Sequence, residues 1–365
     1  MAIGDILTIY EKTITINTEI LNLISQIDIF KGNWMALRQL APERLDSLRK
    51  IATIESVASS TRIEGVALTD SQVRTLLSGM QINSFKNRDE EEVAGYAETM
   101  NLVFESYNEL IPTENIIKQL HQVLLQYSTK DERHRGIYKK LNNNVEAFGA
   151  NGKNLGIIFK TASPMETPYK MEDLCNWLNT TLTESKVHPL LVISKFVVTF
   201  LAIHPFQDGN GRLSRILTTL LLSRTGFHYV FYSSLERIIE ENKRQYYLTL
   251  RSAQTEPKNS NKGLSIWVTF FLESLVKQKN ILSKKLEEEQ KLLALPELSE
   301  LIITRLKEHG RLSLSQIVSL TGGNRNTVKS HLFKLVKAKQ IQKSGRGRGT
   351  VYLYGTTCSI ATSSS

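Results

Sequence analysis

Cysteine is almost missing from this chain of 365 residues: there are two, Cys175 and Cys358. They lie far apart with no neighbour at metal-ligand spacing, which excludes a disulfide framework and a cysteine-based zinc site and fits a reducing cytoplasm. Long apolar runs are missing too. The most apolar stretch, Leu190 to Ile203, contains Lys195 and is too short to span a bilayer. Asp5, Glu11 and Lys12 interrupt the apolar residues near the start, which argues against a signal peptide, so no membrane partner is expected. Acidic charge is in deficit, with a net charge of +10. The excess is uneven: after Pro296, eleven Lys and Arg stand against three Glu, a balance of +8.

Persistent strand alternation is also absent from the first third. Apolar residues recur at helical spacing from Ile3 to about Leu110, broken near Lys31 to Asn33 and at Ala41-Pro42, and predict several helices. From Pro112 to Gln254 the pattern is again mainly helical. A Gly-, Asn- and Pro-bearing stretch between Gly136 and Pro168 reads as a loop plus a hairpin centred on Leu155 to Thr161. A polar loop, Glu256 to Gly263, precedes a long amphipathic helix towards Leu293, and Pro296 marks a boundary. Beyond it come a helix, a second at Ser313 to Leu320, a Thr-Gly-Gly-Asn turn, a third to Lys339, and a basic Gly-rich hairpin at Ser344 to Gly349. That order predicts a winged helix-turn-helix. The expected divisions are 1–110 (helical, with a helix over about 44–65), 111–255 (core), 256–295 (linker helix), 296–355 (winged helix) and 356–365 (disordered tail).

The chemistry concentrates in His204-Pro205-Phe206-Gln207-Asp208-Gly209-Asn210-Gly211-Arg212-Leu213-Ser214-Arg215. Pro205 ends the preceding helix at His204, and Gly209 and Gly211 allow a tight turn with bare N–H groups before a second helix starting by Gly211 or Arg212. Free N–H groups at a helix N-terminus favour anions, and two glycines remove side chains that would block phosphates. Arg212 and Arg215 share one face of that helix near its positive end, where bound phosphate would justify them. Asp208 suits a magnesium ion bridging phosphate oxygens. His204 has the one unperturbed pKa near neutrality here and can take a proton from an attacking hydroxyl. A helix cap, a core histidine and surface ion pairs are each ordinary readings of these residues; their convergence on one glycine-bearing turn is not.

The twelve residues match without departure the Fic motif HPFx[DE]GNGRxxR, and most of Trp34 to Gln254 resembles Fic-domain adenylyltransferases. The resemblance implies a mainly α Fic-type core with a β-hairpin flap. It implies transfer of AMP from ATP, with Mg2+, to a Ser, Thr or Tyr hydroxyl of a target protein. In these terms His204 is the base, Asp208 the metal ligand, and Phe206, Gly209, Asn210, Gly211, Arg212 and Arg215 belong to the nucleotide site. Asn242, Tyr246 and Tyr247 lie in a segment similar to the family's adenosine-contacting helix, although the two tyrosines read equally well as core. The hairpin resembles the flap on which a target docks.

Upstream, Ser60-Thr61-Arg62-Ile63-Glu64-Gly65 ends a helix begun near Arg44, with Gly65 a left-handed stop. Ser60 and Glu64 share a face, and a glutamate against the negative helix end calls for a cation that local sequence does not name. The stretch resembles the inhibitory motif [ST]xxxE[GN], which implies that Glu64 pairs with Arg215 and holds the enzyme off. In the C-terminal module Arg325, Asn326, Lys329 and Ser330 open the recognition helix, and Arg346 and Arg348 sit on the wing, so DNA is one expected partner. A protein-contact or homodimer module is the other. Kinase-like transfer, AMP removal, and a DNA-binding regulator using the Fic domain as a nucleotide sensor stand as alternative functions.

Overall fold

A computed structural model of the chain describes residues 9–37, 42–79, 85–148, 154–257, 260–293, 296–345 and 347–354. It is mainly helical and divides into two units, residues 1–282 and 283–365. The expected tail 356–365 and Arg346 lie outside the described residues, as does the side chain of Arg348.

The first unit is built around α7 (Pro189–Ile203) and α8 (Asn210–Arg224). α7 is apolar on nearly every side, a kind of helix that must be surrounded, and α8 is buried along almost its whole length although it carries several polar residues. Apart from Lys195 and the starting Pro189, every residue of α7 is buried. Lys195 is accommodated because its ammonium donates to the Tyr10 carbonyl at 2.9 Å. Around this pair stand α2 (Pro42–Ile63), α4 (Arg88–Ser106), α5 (Glu114–Leu124), α6 (Thr167–Glu184), α9 (Leu235–Glu241) and α10 (Lys243–Gln254). The Leu264-Trp267-Val268-Phe271 face of α11 (Lys262–Leu293) closes the core, with the Trp267 indole donating to the Ser194 carbonyl at 2.8 Å. The remaining helices are α1 (Thr18–Leu37) and α3 (Asp70–Ser78).

The hairpin differs from expectation. Its strands are β1 (Val145–Phe148) and β2 (Asn154–Phe159), antiparallel, so the segment centred on Leu155 to Thr161 supplies only the second strand. A four-residue strand between Asn- and Gly-rich stretches is too short for its alternation to be read.

The second unit contains α12 (Glu297–His309), β3 (Arg311–Ser313), α13 (Leu314–Thr321), α14 (Arg325–Lys337), β4 (Ile341–Ser344) and β5 (Val351–Tyr354). Its strands order β3-β5-β4, all antiparallel, over a core of Ile302, Ile303, Leu306, Ile317, Val328, Leu332 and Leu335. Ser313 and Gln316 form a capping box at the start of α13, and α14 ends at Lys337, two residues short of the expected stop.

Candidate active site

The turn between α7 and α8 carries the site. His204 caps α7 in the left-handed conformation, φ 54° and ψ 61°. Gly209, at φ 78°, occupies the N-cap of α8, a helix that starts at Asn210, slightly earlier than the sequence suggested. Asp208 is therefore not the cap; its carboxylate accepts from the Gly209 N–H at 2.6 Å. Asn210 braces the turn internally, accepting from Phe206 N at 2.9 Å and donating to Phe206 O at 2.7 Å.

A cavity of about 670 Å³, large enough for a nucleotide, opens over this turn. His204, Asp208, Gly209, Asn210, Gly211, Arg212, Arg215, Glu64, Tyr246 and Tyr247 all border it. Arg244 and Arg251 do as well, so four guanidinium groups face two carboxylates and the cavity is cationic. Gln254 also borders it. Two residues that the resemblance assigned to the nucleotide do not. Phe206 is fully buried, stacked on His121 with ring centroids 3.8 Å apart, because it anchors the turn in the core. Asn242 sits at the α9–α10 junction, its amide donating to the Ile238 carbonyl at 2.8 Å. Tyr246 is buried against Trp267 and Phe270, while Tyr247 is well exposed.

His204 meets the Leu201 carbonyl through Nδ1 at 3.3 Å. A carbonyl only accepts, so Nδ1 carries the proton and Nε2 is the nitrogen with the lone pair. Burial, then the nearby Lys139 ammonium, push His204 down to about 4, so at neutral pH the ring is uncharged. Asp208 is held below the usual carboxylate range: burial opposes this, but Arg212, the Gly209 N–H and Arg88 outweigh it.

Both arginines already have carboxylates at hand: for Arg215 it is Glu64, as the resemblance implied, whereas the partners of Arg212 were not foreseen. Arg212 lies 2.9 Å from Glu92 and 3.4 Å from Asp208. Its buried Nε nevertheless has no hydrogen-bond partner among the described residues, and neither does Nη1, which approaches Glu92 outside hydrogen-bond geometry. Both atoms are buried, but the residue borders the cavity, where a guanidinium suits an oxyanion. Arg215 donates to Ser60 Oγ at 2.7 Å, to the Ser60 carbonyl at 3.1 Å and to Glu64 at 2.7 Å. Burial works against its charge, but Glu64 keeps it firmly protonated. Glu64 follows the end of α2, where Gly65 turns at φ 109°. A side chain at Gly211 would collide with the Glu64 carboxylate, so the glycine turn and Glu64 share one small space.

Sequence reasoning missed His121, Glu92, Lys139 and Asn143. Only Arg88 and Glu92 left a signal, an i, i+4 pair at 2.6 Å. His121 accepts from Gly136 N at 2.9 Å through Nδ1 and donates to the Asp208 carbonyl at 3.0 Å through Nε2, two bonds that require the neutral ring. Burial pushes it down to about 4. Its folded pKa lies below the unfolded value, so its contribution is intact above about pH 6.5 and is lost as pH falls from there through about 4. The expected loss is about 3 kcal/mol, saturating below about pH 4. Denaturant unfolding from pH 7 to 4 should flatten in His121→Gln relative to wild type; parallel curves would refute it.

Residues 111–222 match the model of the Fic/DOC family, and the chain carries a Fic domain over that segment. The protein adenylyltransferase Fic of Drosophila mojavensis is 28% identical over 232 residues, covering 63% of this chain and 42% of that relative. This chain thus spans about two fifths of that relative's length. A Fic family protein from Desulfovibrio desulfuricans shares the fold with a TM-score of 0.59 and 24% identity, covering 94% of this chain and 98% of the other. A Fic domain containing signaling protein from Bacteroides thetaiotaomicron also reaches 0.59 at 24% identity, covering 72% of this chain and 97% of that one. Among the described residues no helix is long and apolar enough to cross a membrane.

Proposed function

We propose that this protein is an adenylyltransferase that moves AMP from ATP to a Ser, Thr or Tyr hydroxyl of a target protein. The observation that carries this reading is the neutral His204, with Nε2 bare, bordering a cationic cavity together with the glycine turn of α8. The target hydroxyl gives its proton to His204 as its oxygen bonds to the α-phosphorus, and the bond to the departing pyrophosphate breaks. Main-chain N–H groups at the start of α8 and Arg212 hold phosphate oxygens. Tyr247, with Tyr246 behind it, offers the adenine an aromatic wall.

The donor set fits magnesium: Asp208 is a half-exposed carboxylate at the cavity edge, beside the turn that cradles phosphate. Bound there, the ion would neutralise charge on the phosphates. Glu64 serves as the inhibitor, occupying Arg215 and the space over Gly211 that a γ-phosphate needs, so ATP presents its α-phosphorus wrongly until Glu64 withdraws. The β1–β2 hairpin offers its edge to an extended target segment. ATP labelled at the α-phosphate should label protein in the presence of magnesium. Label arriving only from the γ-phosphate would instead indicate a kinase.

A second reading concerns the C-terminal unit, which we take as a winged helix that binds DNA. Arg325, Asn326, Lys329 and Ser330 are all exposed at the start of α14, the second helix of its helix-turn-helix. Duplex binding by the full chain should weaken with rising salt, and Lys329→Ala should reduce the slope of log K against log salt by about 1. Binding indifferent to salt would point to a protein-contact role.

A further inference from the structure

The four carbonyl groups from Ile203 to Phe206 belong to the turn that carries the base, and a chain leaving a helix there must find donors for them elsewhere. They find them in one short segment. Lys139 Nζ donates to Ile203 O at 2.9 Å, Asn143 Nδ2 to His204 O at 3.2 Å, Lys139 N to Pro205 O at 2.8 Å, and Asn143 Nδ2 to Phe206 O at 2.6 Å. Lys139 is only 3% exposed. Its other donors go to Asn143 Oδ1 at 2.8 Å and Thr161 Oγ1 at 3.0 Å, and Thr161 Oγ1 donates to Asn143 Oδ1 at 3.0 Å.

We propose that Lys139, Asn143 and Thr161 are positioning residues that clamp the His204 turn in its left-handed conformation and tie it to the root of the hairpin. This rests on the reading of His204 as the base. Two observations support the role beyond simple packing. A non-glycine residue at φ 54° persists only where its surroundings hold it, and four consecutive carbonyls held from one segment do so. The holders also flank the hairpin: Asn143 stands two residues before β1 and Thr161 two after β2. Thr161 N donates to Asn144 Oδ1 at 3.2 Å, closing the root. A target strand laid on the hairpin edge and the nitrogen that must meet its hydroxyl are therefore referenced to the same three side chains. Displacing a reacting group by about 1 Å costs on the order of 100-fold in rate, so a clamp on the base acts on turnover.

The test is auto-labelling from α-labelled ATP and magnesium, in full-length protein carrying Glu64→Gly. Adding Lys139→Met should lower the maximal rate by about 10- to 100-fold while the half-saturating ATP concentration stays within about twofold. Lys139→Arg, which restores a buried cationic donor, should recover part of the rate. An unchanged maximal rate, a loss appearing as weaker ATP saturation, or no recovery with Arg would each overturn the clamp. Should Lys139→Met fail to fold, Asn143→Ala is judged by the same two kinetic outcomes. If the Glu64→Gly parent itself does not label, it is the reading of His204 that fails. The clamp is then decided by histidine ring NMR of unliganded protein: a His204 signal moved by Asn143→Ala, which removes no charge, supports it, and one left in place refutes it.

Discussion

Glu64→Gly should label itself or a target from ATP and magnesium at least about tenfold faster than the wild type, because the change releases Arg215 for the nucleotide. The same substitution should destabilise the unliganded protein. Arg215 is 4% exposed, and removing its 2.7 Å carboxylate leaves a buried guanidinium held by Ser60 alone. Losing one partner of a fully buried pair costs about 3–5 kcal/mol. The Glu64 side chain is 32% exposed, so solvent screening reduces the expected cost to about 1–3 kcal/mol. Thermal unfolding should show the variant melting lower without ATP and gaining more than wild type from added ATP, since phosphate replaces the missing carboxylate. Equal labelling by the two proteins would remove the inhibitory reading. Faster labelling with no extra stabilisation by ATP would remove the competition for Arg215.

His204→Ala, introduced beside Glu64→Gly, should lower labelling by about 10²- to 10⁴-fold, the span that a positioned general base contributes. ATP binding should survive, because the turn N–H groups and Arg212 remain. The pH profile offers a sharper check on the same residue. With His204 pushed down to about 4, the base is unprotonated throughout the neutral range. The acid limb of kcat/KM should therefore lie near pH 4–5 and not near the ordinary histidine value of about 6.5. A limb near 6.5 would mean that burial and Lys139 do not set the proton affinity of the reacting nitrogen.

The candidate site was legible because its residues are compressed into twelve consecutive positions, where a proline, two glycines and the charged groups each have a local physical reason. The helices on either side were equally readable, since near-continuous apolar stretches leave a core helix little alternative. Long-range pairing was not legible from composition or spacing. Arg215 and Glu64 stand 151 positions apart, and only the resemblance to the inhibitory motif suggested joining them. Glu92 and His121 escaped because each looks like an ordinary helix residue until α4, α5 and α8 are packed together. Lys139 and Asn143 escaped for a different reason: their partners are backbone carbonyls, which every residue has and no sequence advertises. Phe206 and Asn242 were placed with the nucleotide by resemblance, but one anchors the turn in the core and the other joins two helices. Pro205 announced that α7 must end, without saying which conformation His204 would take.

That conformation sets stability against reactivity. A β-carbon in the left-handed region costs roughly 1–2 kcal/mol, a strain that glycine would not bear. Judged by folding alone, position 204 favours the one residue that has no side chain, and hence no imidazole. Selection for a sturdier fold would erode the nitrogen on which the proposed transfer depends. The turn therefore records a trade-off in which the protein accepts a less stable backbone to keep a reactive group at the cavity.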